Sequence, residues 1–345
     1  MLATNFCDPI RNFLPDSDVP RPLSRPEDLK LIKDNYFHLR DNYKPPKHPI
    51  VLCHGLAGFD SLILMQLPNF KANTQLGSDE PQQNISKMPS EITDSVKASS
   101  LALNYWYGIE EALVKAGIDV ITAKVPPFES IAARAHLLDT LLSEKCKEFS
   151  GRRPGERVKL NLVGHSMGGL DARYLISKIQ TSQSPYEVVS LTTVGTPHHG
   201  SEVADFVMEI LEQSVFLSMI CPAAITQLTT SYLAKFNTEI RNDPRVGYFS
   251  FGALMDPSRI KRFRVTYEII KRTIKESGEQ FPQNDGMVSV SLARWGNYLG
   301  TLDNFDHLDL INWTNPLKVP FSEQETFNSI ALYLDIADIL SQNGY

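Results

Sequence analysis

Cysteine and tryptophan are scarce in this chain, 4 and 3 of 345 residues. Cys7, Cys53, Cys146 and Cys221 lie far apart and make no CxxC pair, which excludes a zinc knuckle and a dense disulfide framework and fits a reducing compartment. Basic charge is not in excess either. Lys and Arg total 34 against 40 Asp and Glu, a net charge of −6, and the basic residues are scattered, so nucleic acid is not an expected partner. Long apolar runs are missing. The longest, "VFLSMICPAAI" at 215–225, is too short to span a bilayer and contains Pro222, although it could dip into a lipid surface. The opening "MLATNFCDPIRNFLPDSDVPRP" has no basic segment followed by a sustained apolar stretch and carries Asp8, Asp16 and Asp18, so secretion is not expected. The N-x-[ST] patterns at Asn84 and Asn312 therefore read as chance matches.

What is present is an alternation of short apolar strands with helical stripes. Residues 1–47, rich in Pro and charge, read as an irregular arm ahead of one domain over 48–345. "HPIVLCHG" gives a strand that breaks at glycine; a polar stretch without period, 67–100, reads as a surface insertion. Trp106, Ile109, Leu113 and Ala116 recur at helical spacing before Gly117, and "DVITAKV" follows as a strand. "VKLNLVG", "VVSLTTVG" and "YFSFGAL" supply three more strands, and Ala172, Leu175, Ile176 and Ile179 mark a buried helical stripe. Ser322 and Glu325 form a capping-box pattern ahead of a closing helix marked by Phe327, Ile330, Leu334 and Ala337. This rhythm predicts an α/β fold: a mostly parallel sheet with helices on both faces.

One stretch carries chemistry. In "NLVGHSMGGLDARYL", Ser166 sits between Gly164 and Gly168, directly after a strand and directly before a helix. GxSxG alone occurs by chance in roughly one chain in ten of this length. The strand-to-helix context is what a nucleophile elbow requires, because small residues on either side let the chain turn sharply and present the hydroxyl. A serine hydroxyl near neutral pH needs a base, and the base needs an acceptor to fix its tautomer. In strand-elbow-helix hydrolases those partners follow in the order acid, then histidine. Only His198, His199 and His307 follow Ser166. The first two, in "GTPHHG", leave no room for an intervening acid and read as loop-packing residues, so His307 is the expected base. Asp285, at the turn in "QNDGMVSVSL", is the expected acid, with Asp303, Asp306 and Asp309 as less well placed alternatives around the histidine. Two N–H donors are needed for the oxyanion: Met167, next after the serine, and Leu56 in "CHGLAGFD", with His54 read as a brace for that loop.

The stretches "PIVLCHGLAGFDSLIL", "YWYGIEEALVKAG", "LVGHSMGGLDARYL", "GTPHHGSEVADFV", "NDGMVSVS" and "DHLDLINW", taken in order, resemble the bacterial true lipases of the Pseudomonas and Burkholderia type. They are still more similar to the fungal mitochondrial triacylglycerol lipases. The resemblance implies an α/β-hydrolase fold, hydrolysis of acylglycerol esters, a Ser166, Asp285 and His307 triad, and Leu56 and Met167 as oxyanion donors. It implies no organic cofactor. It raises a structural Ca²⁺ at Asp256 and Asp309, whose oxygen ligands suit a hard cation, although the basic run "RIKRFR" after Asp256 departs from the bacterial pattern. Residues 203–236 fall at the family's lid position, with Phe206, Ile210 and Phe216 on helical turns; contact with a lipid surface follows, without a transmembrane segment. Mitochondrial residence is implied by the fungal likeness alone; otherwise a cytoplasmic or lipid-associated protein is expected. Acyl transfer with the same triad, and a catalytically silent lipid-binding module, are the alternative functions.

Overall fold

The computed structural model describes residues 25–32, 36, 38–56, 105–148, 156–212, 221–256, 263–276, 282–313 and 328–345. Seven strands and eight α-helices are set out among these residues. In chain order they are β1 (Leu31–Ile32), β2 (Ile50–Cys53), α1 (Ile109–Lys115), β3 (Val120–Ala123), α2 (Ile131–Glu148), β4 (Val158–His165), α3 (Met167–Tyr174) and β5 (Tyr186–Val194). There follow α4 (Glu202–Glu212), α5 (Ala223–Thr226), α6 (Thr230–Glu239), β6 (Gly247–Leu254), α7 (Arg264–Glu276), β7 (Asn297–Asp303) and α8 (Ser329–Gln342).

The strands form one parallel sheet in the order β1-β7-β6-β5-β4-β2-β3. Its inner strands are buried on both faces, which is why they read as near-continuous apolar runs: all four residues of β2 and all but Lys159 of β4 are buried. Side chains alternate between two cores. Ile50 and Leu52 pack with Trp106 in the turn before α1, with Ile109 and Leu113 of α1, and with Leu332, Ile336 and Leu340 of α8. Val51 and Cys53 pack on the opposite face with Leu138 and Leu142 of α2 and Ala172 of α3. Each such Leu, Ile or Val contributes about 1.5–3 kcal/mol by leaving water. Asn161, buried in β4, is satisfied by donating to the His48 carbonyl and accepting from Ser190 Oγ.

Several details depart from the expected pattern. Within the arm, Leu31 and Ile32 add an edge strand beside Thr301 and Leu302 of β7. The closing helix begins at Ser329, capped by the Asn328 side chain on the Ile330 N–H at 3.1 Å; Ser322, Glu325 and Phe327 lie outside the described residues. The stripe after α3 finishes as a π-turn, Leu175–Ile179. Helices α2 and α7 and strand β7 had no counterpart in the sequence pattern. The insertion 67–100, Asn84 and Phe216 fall outside the described residues. Asn312 is buried, and its amide donates to the Tyr107 carbonyl, as a chance N-x-[ST] match allows.

One topological feature places the site. The chain moves from β2 outward to β3, then returns to lay β4 on the other side of β2. The loops leaving β2 and β4 therefore separate at their carboxyl ends, and a crevice opens at such a switch point in an open α/β sheet.

Candidate active site

At the end of β4 the chain turns through Ser166 with φ 53° and ψ −132°, a conformation rare for any residue with a side chain. Such backbone is held at a cost of about 1–3 kcal/mol and needs surroundings that fix it. Here the Ser166 N–H donates to the Val194 carbonyl at 3.1 Å, and its own carbonyl accepts from Thr196 Oγ1 at 2.8 Å and Gly169 N–H at 3.1 Å. A β-carbon on Gly164 would meet Gly169 Cα at 2.7 Å, and one on Gly168 would meet the Cys53 carbonyl oxygen at 2.3 Å. Both glycines are required for strand, turn and helix to approach this closely. Met167 is the first residue of α3, so its N–H has no acceptor within the helix and belongs to the helix N-terminus that follows the serine.

The expected acid and base, Asp285 and His307, lie on two neighbouring loops. In the turn "NDGMV" the Asp285 Oδ1 accepts from the N–H groups of Met287 at 2.9 Å and Val288 at 2.8 Å, while Asn284 Oδ1 accepts from Gly286 N–H. These side-chain bonds stand in for backbone partners that a tight turn lacks. Asp285 Oδ2 then lies 2.7 Å from His307 Nδ1, and the His307 N–H donates to the Asp285 carbonyl at 3.0 Å. A carboxylate can only accept, so Nδ1 carries the hydrogen and the Nε2 lone pair is left for chemistry. The competing acids are engaged elsewhere. Asp306 Oδ1 takes the N–H groups of Leu308 and Asp309, and Asp309 Oδ2 takes the N–H of Asp306.

The loop after β2 is held by side chains from distant parts of the chain. Arg134 of α2 is fully buried; its guanidinium pairs with Asp171 of α3 at 2.8 Å and donates to the carbonyls of Pro126, His54 and Gly55. Burial outweighs the guanidinium's pull on Asp171, so that carboxyl's pKa is raised to about 6. His54 Nε2 accepts from Val125 N–H at 3.1 Å, so its Nδ1 donates to the Gly55 carbonyl at 2.8 Å; burial lowers the His54 pKa and favours this neutral form. The Gly55 carbonyl and the Leu56 N–H belong to one trans peptide plane and point in opposite directions. Pinning the carbonyl between Arg134 and His54 therefore aims the Leu56 N–H. The Gly55 N–H is fixed in turn by Tyr105 Oη at 2.9 Å.

Leu56, Ser166, His307, Tyr105 and His165 line one pocket, whose walls apart from Ser201 are otherwise mainly apolar: Val203, Ile225, Phe263, Met287 and others. It encloses about 820 Å³ including open space at its mouth. His198 and His199 lie away from it. His198 stacks on Trp295 and shares a hydrogen bond with Thr193 Oγ1, and His199 N–H donates to the Leu292 carbonyl, as packing residues of that loop do. Arg134, Asp171, Tyr105 and His165 were absent from the sequence reading. One signal was there: Arg134 falls among Ile131, Ala135, Leu138 and Leu142 on the apolar face of α2, where a charge requires a buried partner.

Among the described residues no group of three or more His, Cys, Asp or Glu is arranged to hold a metal ion. Asp256 and Asp309 thus lack a third carboxylate or imidazole among these residues, and one Asp309 oxygen already accepts a backbone N–H.

Comparison with known proteins agrees with this geometry. The family described as "Putative serine esterase (DUF676)" matches residues 134–235, which contain Ser166. The chain is 39% identical over 319 residues to Triacylglycerol lipase 2 of Saccharomyces cerevisiae, covering 88% of this chain and 94% of the relative. It is 26% identical over 344 residues to a triacylglycerol lipase of Burkholderia plantarii, covering 79% and 81%. Among solved structures it resembles the Staphylococcus hyicus lipase, with a TM-score of 0.54 at 19% identity over 89% of this chain and 98% of that one. The mature form of a Bacillus licheniformis lipase gives 0.51 at 22% identity, over 81% and 94%. At these identities the structures speak for a shared α/β-hydrolase fold.

Proposed function

The chain belongs to the triacylglycerol lipase family, and from that premise we propose that it hydrolyses acylglycerol esters through an acyl-enzyme formed on Ser166. The observation that carries this reading is the Asp285 to His307 pair at 2.7 Å facing the same apolar pocket as the strained elbow serine. His307 Nε2 takes the Ser166 proton as Oγ attacks the ester carbonyl, and Asp285 steadies the imidazolium that results. The oxyanion forms against the N–H groups of Met167 and Leu56; each such donor is worth about 10²–10³ in kcat. His307 then passes its proton to the leaving glyceride alcohol. Water enters, gives a proton to His307 and attacks the acyl carbonyl, and the serine leaves with that proton as the fatty acid is released. The apolar walls suit an acyl chain and offer no charged group for a charged one.

A fluorophosphonate probe tests the assignment directly. The folded protein should take up one label per chain, and Ser166→Ala should take up none; an unlabelled wild type, or a labelled Ser166→Ala, would overturn it.

Helix α4 supports a second element of the proposal. Val203 and Ala204 at its start line the pocket, while Phe206 and Ile210 further along stay half-buried. A helix with this division is suited to exchange pocket contacts for contacts with lipid, so residues 203–236 act as a lid at a lipid surface. Specific activity should rise when a soluble ester passes its solubility limit and forms an emulsion; an unchanged activity speaks against the lid. Among the described residues no helix is long and apolar enough to cross a membrane. On the cation, the reading is that backbone N–H groups, rather than Ca²⁺, close the His307 loop. Calorimetric titration should show no Ca²⁺ uptake at Asp256 and Asp309, and stoichiometric uptake would refute this. Mitochondrial residence rests on the fungal likeness and is tested by cell fractionation.

A further inference from the structure

His165, the residue before the nucleophile, is buried with both ring nitrogens engaged. Its Nε2 lies 3.0 Å from the His307 carbonyl oxygen, and its Nδ1 lies 2.7 Å from Tyr105 Oη. The direction of every bond in this chain follows from what each group can do. A carbonyl only accepts, so His165 Nε2 bears the hydrogen; Nδ1 is then an acceptor, so the Tyr105 hydroxyl donates to it. The hydroxyl has spent its one hydrogen and uses a lone pair to accept the Gly55 N–H at 2.9 Å. The chain thus runs one way, from Gly55 through Tyr105 and His165 to His307. It joins segments 50, 60 and 142 residues apart in sequence. The rings are packed as well as bonded: His165 lies 4.7 Å from the His307 ring centroid, and Tyr105 sits edge-on to Trp106. Burial, followed by the neighbouring His307, holds the His165 pKa well below 6.5, consistent with a neutral ring.

We propose that Tyr105 and His165 are positioning residues that set the oxyanion loop and the base loop at a fixed distance across Ser166, through this single directed hydrogen-bond chain. The proposal rests on the triad and oxyanion reading given above. Neither residue is assigned a proton transfer. Tyr105 orients the His54–Gly55 peptide, one plane ahead of the peptide that carries the Leu56 N–H, and His165 orients the backbone that carries the imidazole of His307. Donor and base are thereby kept in register as charge moves from one to the other, which is where preorganisation lowers a barrier.

Two substitutions cut the chain at different points. Tyr105→Phe removes the hydroxyl from both of its partners. His165→Asn keeps an amide oxygen near the Nδ1 position to accept from Tyr105 and loses the donor to the His307 carbonyl. Each should lower kcat on a soluble short-chain p-nitrophenyl ester by about 10- to 100-fold, less than outright loss of an oxyanion donor, with KM within about 2-fold. The double variant should be no slower than the slower single variant by more than about 2-fold, because a severed chain cannot be severed again. Rates are normalised to the fluorophosphonate end point, so only competent molecules count, and Ser166→Ala gives the blank. Full kcat in either single variant, a loss confined to KM, or multiplicative losses in the double variant would each overturn the proposal. If the wild type takes no label, the triad reading itself has failed, and the two failures are told apart. Imidazole ¹⁵N spectra of the wild type serve where His165→Asn does not fold: the neutral Nε2–H form is expected, and an Nδ1–H form would refute the direction of the chain.

Discussion

The acid and base loops and the oxyanion loop face each other across Ser166 and are held by different means. Asp285 is gripped by N–H groups two and three residues further on, and Asp306 by those of Leu308 and Asp309, with the bond from His165 Nε2 to the His307 carbonyl as a long-range addition. The loop at residues 54–56 is gripped from afar: Arg134 reaches back 80 residues to the His54 carbonyl, and Tyr105 reaches back 50 to the Gly55 N–H. Local carboxylate turns fix a side chain cheaply, since little loop entropy is lost in closing them. Long-range side-chain anchors depend on the packing of whole helices. The base half should therefore tolerate substitutions that leave its turn intact, whereas the oxyanion half should lose geometry and stability together.

The largest expected effect is on the base half. Asp285→Asn keeps an oxygen for the N–H groups of Met287 and Val288 but can turn an NH₂ toward His307 Nδ1, which favours the wrong tautomer. A drop in kcat of about 10⁴ is expected, with a melting temperature within a few degrees of wild type. Steady-state kinetics and a thermal melt on the same sample check both parts. A large loss of stability would show that the turn is less self-contained than its hydrogen bonds indicate.

On the other side, Arg134→Ala should damage both quantities. It frees the His54 carbonyl and leaves the Gly55 carbonyl with His54 Nδ1 alone, so the Leu56 N–H is aimed less firmly, and kcat should fall by about 10- to 100-fold, short of the loss of a whole oxyanion donor. It also strands the Asp171 carboxylate in the core, which costs about 3–5 kcal/mol in unfolding free energy. Chemical denaturation beside kinetics measures the pair of effects. An active-site loss without a stability loss would erase the distinction between the halves.

The same contrast explains what could be read in advance. "GHSMG", "NDGMV" and "DHLD" are local devices, in which the residues that turn the chain and the residues that do the chemistry are neighbours, so Ser166, Asp285 and His307 stand out in the sequence. The inner strands β2, β4, β5 and β6 were legible because burial on both faces makes them near-continuous apolar runs, whereas β7, with its exposed and half-buried positions, was not. Arg134 gave only one sign, its place on the apolar stripe of α2; the partner that lets it sit there, Asp171, lies 37 residues on, where no local pattern shows it. Arg134 also interrupts the stripe that would have marked α2. Strand β1 is two residues long and owes its place to β7, which no local pattern carries. The helix that is described begins one residue after Asn328, whose side chain caps it on the Ile330 N–H.

A smaller effect sharpens the comparison through pH. The Asp171 pKa of about 6 lies above its ordinary value of 3.8, so the folded state binds this proton more tightly than the unfolded state does. The stability that this proton binding supplies is fully present below about pH 4 and is lost as pH rises through 6. Asp171→Asn removes the titration. The unfolding free energy of wild type minus that of the variant should fall by about 2–2.5 kcal/mol between pH 4 and pH 7.5, as urea titrations at the two pH values would read. A difference that rises with pH would mean that Arg134 outweighs burial.

The smallest effect belongs to the elbow that both halves share. Thr196 Oγ1 donates to the Ser166 carbonyl at 2.8 Å, and that oxygen also accepts the Gly169 N–H at 3.1 Å. Thr196→Val keeps the shape and removes one donor, leaving the carbonyl with a backbone partner. The loss should be about 1 kcal/mol in unfolding free energy, with kcat changed by less than about 3-fold. A fall in kcat comparable to that of Arg134→Ala would show that the strained turn is set by this side chain. The steric closeness of Gly164 and Gly168 to their neighbours instead assigns it to the backbone, which stays in place when the hydroxyl is gone.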